Sequence, residues 1–160
     1  MKNFFFLVCL ISFQVFSQTE KDNIDTNLNL WHQAAAEANF EKYFGLMTKD
    51  AVFIGTDASE NWNVEQFKVY AKPHFDKGKA WKFIALQRNI YHNSKEKIAW
   101  FDELLQTDLG LCRGSGVLQL TPDGWKIKHY VLSVTIPNEN VSAVKKMNQK
   151  HDQTLIPQLK

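Results

Sequence analysis

From residue 81 onward the chain reads with a period of two, and that change limits what the rest can do. Lys82 to Tyr91, Lys97 to Thr107, Leu111 to Leu120 and Trp125 to Thr135 alternate apolar and polar side chains, as half-buried strands do. Their links are Asn93-Ser94, Asp108-Leu109-Gly110 and Pro122-Asp123-Gly124. Asn and Gly tolerate positive φ there, and Pro presets the entry to a turn. Links this short join antiparallel neighbours, so the four segments form a meander. Whatever precedes them must cover one face of that sheet.

The preceding residues read as helices. Asp25 or Thr26 can cap a helix running to about Met47, with Leu28, Trp31, Ala35 and Ala38 on one stripe. Ala34-Ala35-Ala36 allows close approach of a large partner such as a curved sheet. Asn39 predicts a bend, after which Phe40, Tyr43, Phe44 and Met47 continue the stripe on a second short helix. Ala51 to Ile54 is a short strand stopped by Gly55, and Thr56 to Asn61 a polar connection in which Asp57 can cap a turn. Asn63-Val64-Glu65-Gln66 is a capping box. The helix it opens carries Val64, Phe67, Tyr70 and Ala71 until Pro73 kinks or ends it. Helices followed by a meander indicate an α+β domain.

The two ends differ from this middle. Lys2, the apolar run Phe4 to Phe16 and the small Ser17 form a signal peptide, residues 1–17, cleaved after Ser17. The run is shorter than the roughly 20 residues a membrane span needs. Val8 ahead of Cys9 argues against a lipoprotein signal. The mature chain is therefore expected to be exported, to the periplasm or the medium, with no membrane attachment. Residues 139–160 form a polar extension, with a short amphipathic helix on Val141, Val144 and Met147 and a frayed tail from His151.

Composition excludes several classes. The formal net charge is +2, one unit of which leaves with Lys2, and no basic stripe appears, so no nucleic-acid partner is expected. Cys112 is the single cysteine after the signal and reads as a small buried hydrophobe. The five histidines are dispersed and no HExxH or CxxC occurs, so no metal or other cofactor is expected. The run Arg113 to Gly116 sits mid-strand and lacks the spacing of a phosphate loop.

Polar side chains on the meander mark a candidate site. Trp125, Ile127, His129, Val131 and Ser133 share parity opposite Lys126 and Lys128, which predicts an inward His129. Either Asp102 or Glu103 must face inward; Asp102, beside Trp100 and Leu104, is the preferred one. Arg113 and Ser115 share parity, so an inward Arg113 can pair with Asp102 across strands. The plainer reading is a structural ion pair and a satisfied core histidine. Gly114 and Gly116 leave the opposite face bare, which suits close packing.

These residues resemble the SnoaL-like proteins of the nuclear-transport-factor-2-like superfamily over residues 24–138. The likeness rests on Ala38-Asn39-Phe40-Glu41, Asp50 to Asp57, Trp62, Trp100 to Glu103, Arg113 to Leu118, Gly124 to Ile127 and Ile136-Pro137-Asn138. It implies a cone-shaped fold in which N-terminal helices pack on a strongly bent antiparallel sheet. It also implies an apolar pocket at the cone's open end. For that pocket the residues are Trp31, Phe53, Asp57, Trp62, Tyr70, Trp100 and Ser115, with Asp102, His129 and Arg113 as catalytic candidates. Laid against the superfamily's steroid isomerases, the helix tyrosine falls on Trp31 and the base aspartate on Gly55. The oxyanion acid falls near Arg113 or Gly116. That chemistry is absent unless Asp57 acts as a displaced base.

Two functions follow. One is an exported domain binding a small, largely apolar molecule, with cofactor-free acid–base chemistry of the isomerase, cyclase or dehydratase type if it is a catalyst. The other is a non-catalytic homodimeric module assembled through the outer sheet face. The sequence leaves open whether the protein is an enzyme.

Overall fold

The computed structural model describes residues 19–160 with their side chains. The expected signal peptide, residues 1–17, lies outside these described residues. The elements are α1 (Lys2–Ala36), α2 (Phe40–Gly45), β1 (Met47–Ile54), β2 (Asn61–Asn63), α3 (Val64–Asp76), β3 (Ile84–Asn93), β4 (Ile98–Thr107), β5 (Gly110–Thr121), β6 (Gly124–Val134) and α4 (Val141–Leu155). Short 3-10 turns flank α4. Among the described residues no helix is long and apolar enough to cross a membrane.

The six strands form one curved, unclosed sheet in the order β2-β1-β6-β5-β4-β3. The meander is antiparallel as its turns require. One pairing departs from the all-antiparallel expectation: β1 lies parallel to β6. The long excursion through the helices and the meander lets β1 meet the last strand in that sense.

Local chemistry explains the helix ends. α1 stops where Ala38 takes φ +52°, and the Asn39 side chain caps α2 by accepting from Lys42 N. The bend expected at Asn39 is this double boundary. Asn63 and Gln66 close a reciprocal capping box at the start of α3. Pro73 sits inside α3, which continues to Asp76 and turns out at Gly78 with φ +67°. α1 lays Ile24, Leu28, Trp31, Ala34 and Ala35 against the sheet, all fully buried. Burying each large side chain contributes about 1.5–3 kcal/mol. Asn27 Nδ2 donates to Trp125 O at 2.8 Å and Trp125 Nε1 to Glu20 Oε2 at 3.0 Å, tying the helix to β6.

Bulges decide which residues face the helices. On β6, Val117 pairs with His129 while Leu118 pairs with Ile127, so Lys128 is an extra residue. Trp125 and Ile127 face inward before it, and Tyr130 and Leu132 after it. On β3 a second bulge makes Leu86 the extra residue and turns Arg88 inward opposite Glu103. Cys112 is buried on the inner face of β5, as expected of a small hydrophobe. The C-terminal segment is helical to Leu155, longer than the short helix and frayed tail expected, and none of α4 is buried.

Candidate functional site

On β4 the buried set is Ala99, Phe101, Glu103 and Leu105, so the inward carboxylate is Glu103, only 1% exposed, and not Asp102. Both faces of this strand carry an aromatic and an acid, which is why parity alone did not decide. Trp100 stays outside, 46% exposed, because it stacks on Tyr91 of the neighbouring strand at 5.9 Å. Asp102 accepts from Asn89 Nδ2 at 3.0 Å on that same outer face.

His129 is corrected in the same way: the Lys128 bulge reverses parity and places it outward, opposite Val117. Arg113 and Ser115 face outward too, since the buried set of β5 is Cys112, Gly114, Gly116 and Leu118. Cross-strand pairs put Asp102 beside Ser115 and Val117 beside His129. The structure thus gathers the expected polar group, but on the convex face of the sheet and not inside the cone.

The inner face carries a different network. Glu103 Oε1 accepts from His32 at 2.8 Å and from the Tyr130 hydroxyl at 3.1 Å. Glu103 Oε2 accepts from Arg88 Nε at 2.9 Å and Nη2 at 2.7 Å. Arg88 Nη1 continues to Asp25 Oδ1 at 2.7 Å and Asn29 Oδ1 at 2.8 Å on α1. A carboxylate only accepts, so His32 Nε2 carries the proton it shares. Burial pushes the Glu103 carboxyl up, but the His32 hydrogen bond and the charges of His32 and Arg88 outweigh it and hold the carboxyl below its usual range. Burial, and then the Glu103 charge, push the Tyr130 hydroxyl well up, so it remains a donor. Gly114 makes room for this arrangement: a Cβ there would lie 2.3 Å from the Tyr130 hydroxyl and 2.9 Å from Glu103 Oε1. Four donors occupy the Glu103 oxygens, which leaves the network closed and structural.

The concave space opens elsewhere. A cavity of about 180 Å³ lies between β1, β2, α3, the 81–83 segment and the β4–β5 turn. Its wall is aromatic: Phe53, Trp62, Phe67, Tyr70, Trp81 and Phe83. Phe53 and Phe67 stack at 4.1 Å, Trp62 and Tyr70 at 4.4 Å, and Phe67 and Trp81 at 5.6 Å, with planes within 23° of one another. β2 delivers Trp62 beside Phe53, and the capping box fixes the start of the helix that delivers Phe67 and Tyr70. Glu60, Lys82 and Asp108 supply charge in the lining. Burial and the Glu60 charge raise the Tyr70 hydroxyl.

Of the residues expected to line a pocket, Phe53, Trp62 and Tyr70 do so. Trp31 does not: it is fully buried, stacked on Tyr43 at 5.0 Å and edge-on to Tyr130 at 4.9 Å. Trp100 and Ser115 lie on the outer face. Asp57 lies outside the lining, with its carboxylate accepting from Ser59 N at 2.9 Å and Ser59 Oγ at 2.6 Å. The Ser59 hydroxyl and then the Ser59 N–H lower its pKa, which makes Asp57 a poorer base. Glu103 is the alternative held open beside Asp102; the residues missed from sequence are Arg88, His32 and Tyr130 of the network, and Phe67, Trp81 and Phe83 of the wall. Phe67 carries a signal as part of the apolar stripe of α3, but Arg88 is placed by a bulge that no glycine or proline marks. Among the described residues no three His, Cys, Asp or Glu side chains gather where they could hold a metal ion.

Three buried polar atoms have no hydrogen-bond partner within normal geometry among the described residues: Trp81 Nε1 in the wall, and Tyr43 OH and Trp31 Nε1 in the core behind it. Each unmet buried group costs on the order of 1–3 kcal/mol. Burial raises the Tyr43 hydroxyl well above its ordinary value, and the neighbouring Trp81 indole offsets part of that.

Comparison with known proteins adds to this geometry. A family model described as "SnoaL-like domain" matches residues 24–137. A search of curated protein sequences gives no match. Among solved structures, a nuclear-transport-factor-2-like protein of unknown function from Pseudomonas putida is 12% identical, covers 78% of this chain and 92% of its own, and superposes with a TM-score of 0.64. A candidate dehydratase of the same superfamily from Streptomyces avermitilis is 13% identical, covers 76% and 99%, and has a TM-score of 0.66. A further member from Cytophaga hutchinsonii is 16% identical, covers 72% and 98%, and has a TM-score of 0.61. At these identities the likeness establishes the fold.

Proposed function

The chain belongs to the SnoaL-like domain family, and from that premise we propose that it is an exported binding domain for a small, flat, largely apolar molecule. The observation that carries this reading is the stacked aromatic wall around a cavity of about 180 Å³. An apolar cavity of about 150 Å³ accepts one benzene ring, so the space suits one substituted ring. Sites of this kind are apolar with a few placed polar groups. Acid–base chemistry is not part of the proposal, because Asp102, Arg113 and His129 lie on the opposite face and Glu103 is fully occupied.

Titration of the tryptophan fluorescence with toluene tests it. A ligand of that size gives a Kd of about 0.1–1 mM at ordinary ligand efficiency. Saturable quenching is expected in the wild type and a loss of about tenfold in affinity in Trp62→Ala, since Trp62 forms one wall. No saturation in the wild type counts against the reading. Export is tested by the N-terminus of the protein recovered outside the cytoplasm, expected to begin at Gln18.

A second reading, a homodimer formed through the outer sheet face, is favoured by Trp100, Tyr91 and Ile98, all more than 40% exposed on adjoining strands. Contiguous exposed apolar groups of this kind mark interaction surfaces. Sedimentation velocity separates the two states. A dimer that Trp100→Glu converts to monomer supports the reading, and a wild-type monomer at 100-fold dilution range refutes it.

A further inference from the structure

We infer that α4 is the lid of this cavity: when an apolar molecule fills the space, the helix seats its apolar stripe across the mouth and retains the occupant. This rests on the cavity reading above and adds how that site is closed.

The chain delivers α4 to the mouth. In the lining, Gly55 and Thr56 follow β1, Leu132 is near the end of β6, and Thr107, Asp108 and Leu109 turn from β4 into β5. The cavity therefore opens at one end of the sheet. β6 leaves the sheet at that same end, where Thr135 N donates to Leu111 O at 3.0 Å, and Pro137 and one 3-10 turn lead into α4. The strand order β2-β1-β6 puts the β1–β2 connection two strand spacings away, about 10 Å. The helix from Val141 to Leu155 extends about 22 Å, which is enough to cross the mouth. Its course shows at Asp57, whose carboxyl is lowered by Ser59 and, less, by the charge of His151. Asp57 directly follows Thr56 of the lining.

The face that α4 turns to the domain is apolar and loosely seated. Helical spacing puts Val144, His151 and Leu155 within about 40° of one another. Val144, Asp152 and Leu155 are half-buried, and every other residue of α4 is exposed. Val141 and Met147 border this stripe, and Met147 is 81% exposed. A helix of about fifteen residues is marginal by itself in water, so one that buries no residue has packing still to gain. The mouth offers a matching surface, since Tyr70 and Leu109 of the lining are exposed large side chains.

Charge agrees with this placement. Asp57, Glu60 and Asp108 outnumber Lys82 around the mouth, which leaves the rim negative. Lys145 and Lys150 flank the stripe of α4. Among the described residues neither of these lysines, nor Glu60 or Asp108, makes an ion pair. Closure depends on occupancy for a simple reason. Over an empty mouth the stripe meets only the rim, whereas an occupant puts apolar surface beneath it. A ligand that contacts the closed form alone shifts the helix toward it.

Hydrogen exchange of the backbone amides, with and without saturating toluene, makes the test, together with toluene titrations. The proteins are the wild type, a chain ending at Asn138, and the double variant Val144→Gln, Leu155→Gln, whose new residues are good helix formers. Thermal unfolding confirms that both variants are folded. Toluene is expected to slow exchange in α4 about tenfold in the wild type and to leave it unchanged in the double variant. Both variants should bind toluene about fivefold more weakly than the wild type. Exchange in α4 that toluene does not alter, or equal affinity in all three proteins, overturns the lid and leaves the cavity reading standing. Protection of α4 that needs no toluene and rises with protein concentration also overturns it, because a second copy would then be the cover. Absence of toluene binding in all three overturns the cavity reading, and the lid with it.

Discussion

Glu103 shows how much one residue can hold in this domain. Its four hydrogen bonds join β4 to α1 through His32, to β3 through Arg88 and to β6 through Tyr130. Replacing Glu103 with Gln keeps the volume but leaves the buried Arg88 guanidinium without its counter-charge. Loss of one partner of a buried pair costs about 3–5 kcal/mol, and denaturant unfolding is expected to show a decrease of that order. The same carboxyl sets an acid limb. Its folded pKa is depressed, so between the folded and unfolded values the unfolded chain binds more protons and stability rises with pH. The contribution is whole above the ordinary carboxylate range and is lost as pH falls through the lowered folded value. Melting temperatures measured across that interval should fall less steeply in Glu103→Gln than in the wild type.

At the scale of elements, sheet order and turn chemistry were legible, and side-chain orientation was legible only where strands run without interruption. The four meander segments, their turns and the capping box of α3 occupy the places their residues predict. His129 and Arg88 were misplaced or missed because each follows a bulge, at Lys128 and Leu86, that no glycine or proline announces. On β4 the difficulty was different: Trp100 is held outside by Tyr91, a partner that adjacency in sequence does not reveal. Gly114 and Gly116 were informative in the other direction. Their bare face does meet close neighbours, Tyr130 at the first and the His129 carbonyl and Phe101 at the second. Gly114→Ala should therefore destabilise the fold by about 1–3 kcal/mol through overpacking. Chemical denaturation measures it, and a change below 0.5 kcal/mol would mean that Tyr130 and Glu103 shift aside at little cost.

For the whole molecule, the domain and its ends carry different loads. The core lies between α1, α2, α3 and the concave face, and no residue of α4 is buried. Removing residues 139–160 should change unfolding free energy by less than about 1 kcal/mol, as exposed changes do. A larger loss would show that the extension is part of the fold. The cone's interior divides into two regions, a closed ionic network toward β3 and an aromatic cavity toward β2. In the first, four hydrogen bonds occupy the Glu103 carboxylate, and the second is an open space walled by stacked rings. The binding proposal rests on the second, through its stacked aromatic wall. The most direct measurement is a crystal structure of the mature protein soaked in toluene at several times its solution Kd. Density for one ring between Trp62, Phe67 and Trp81 is the expected result. A ring found only on the outer face beside Trp100, with the cavity unchanged, would contradict it.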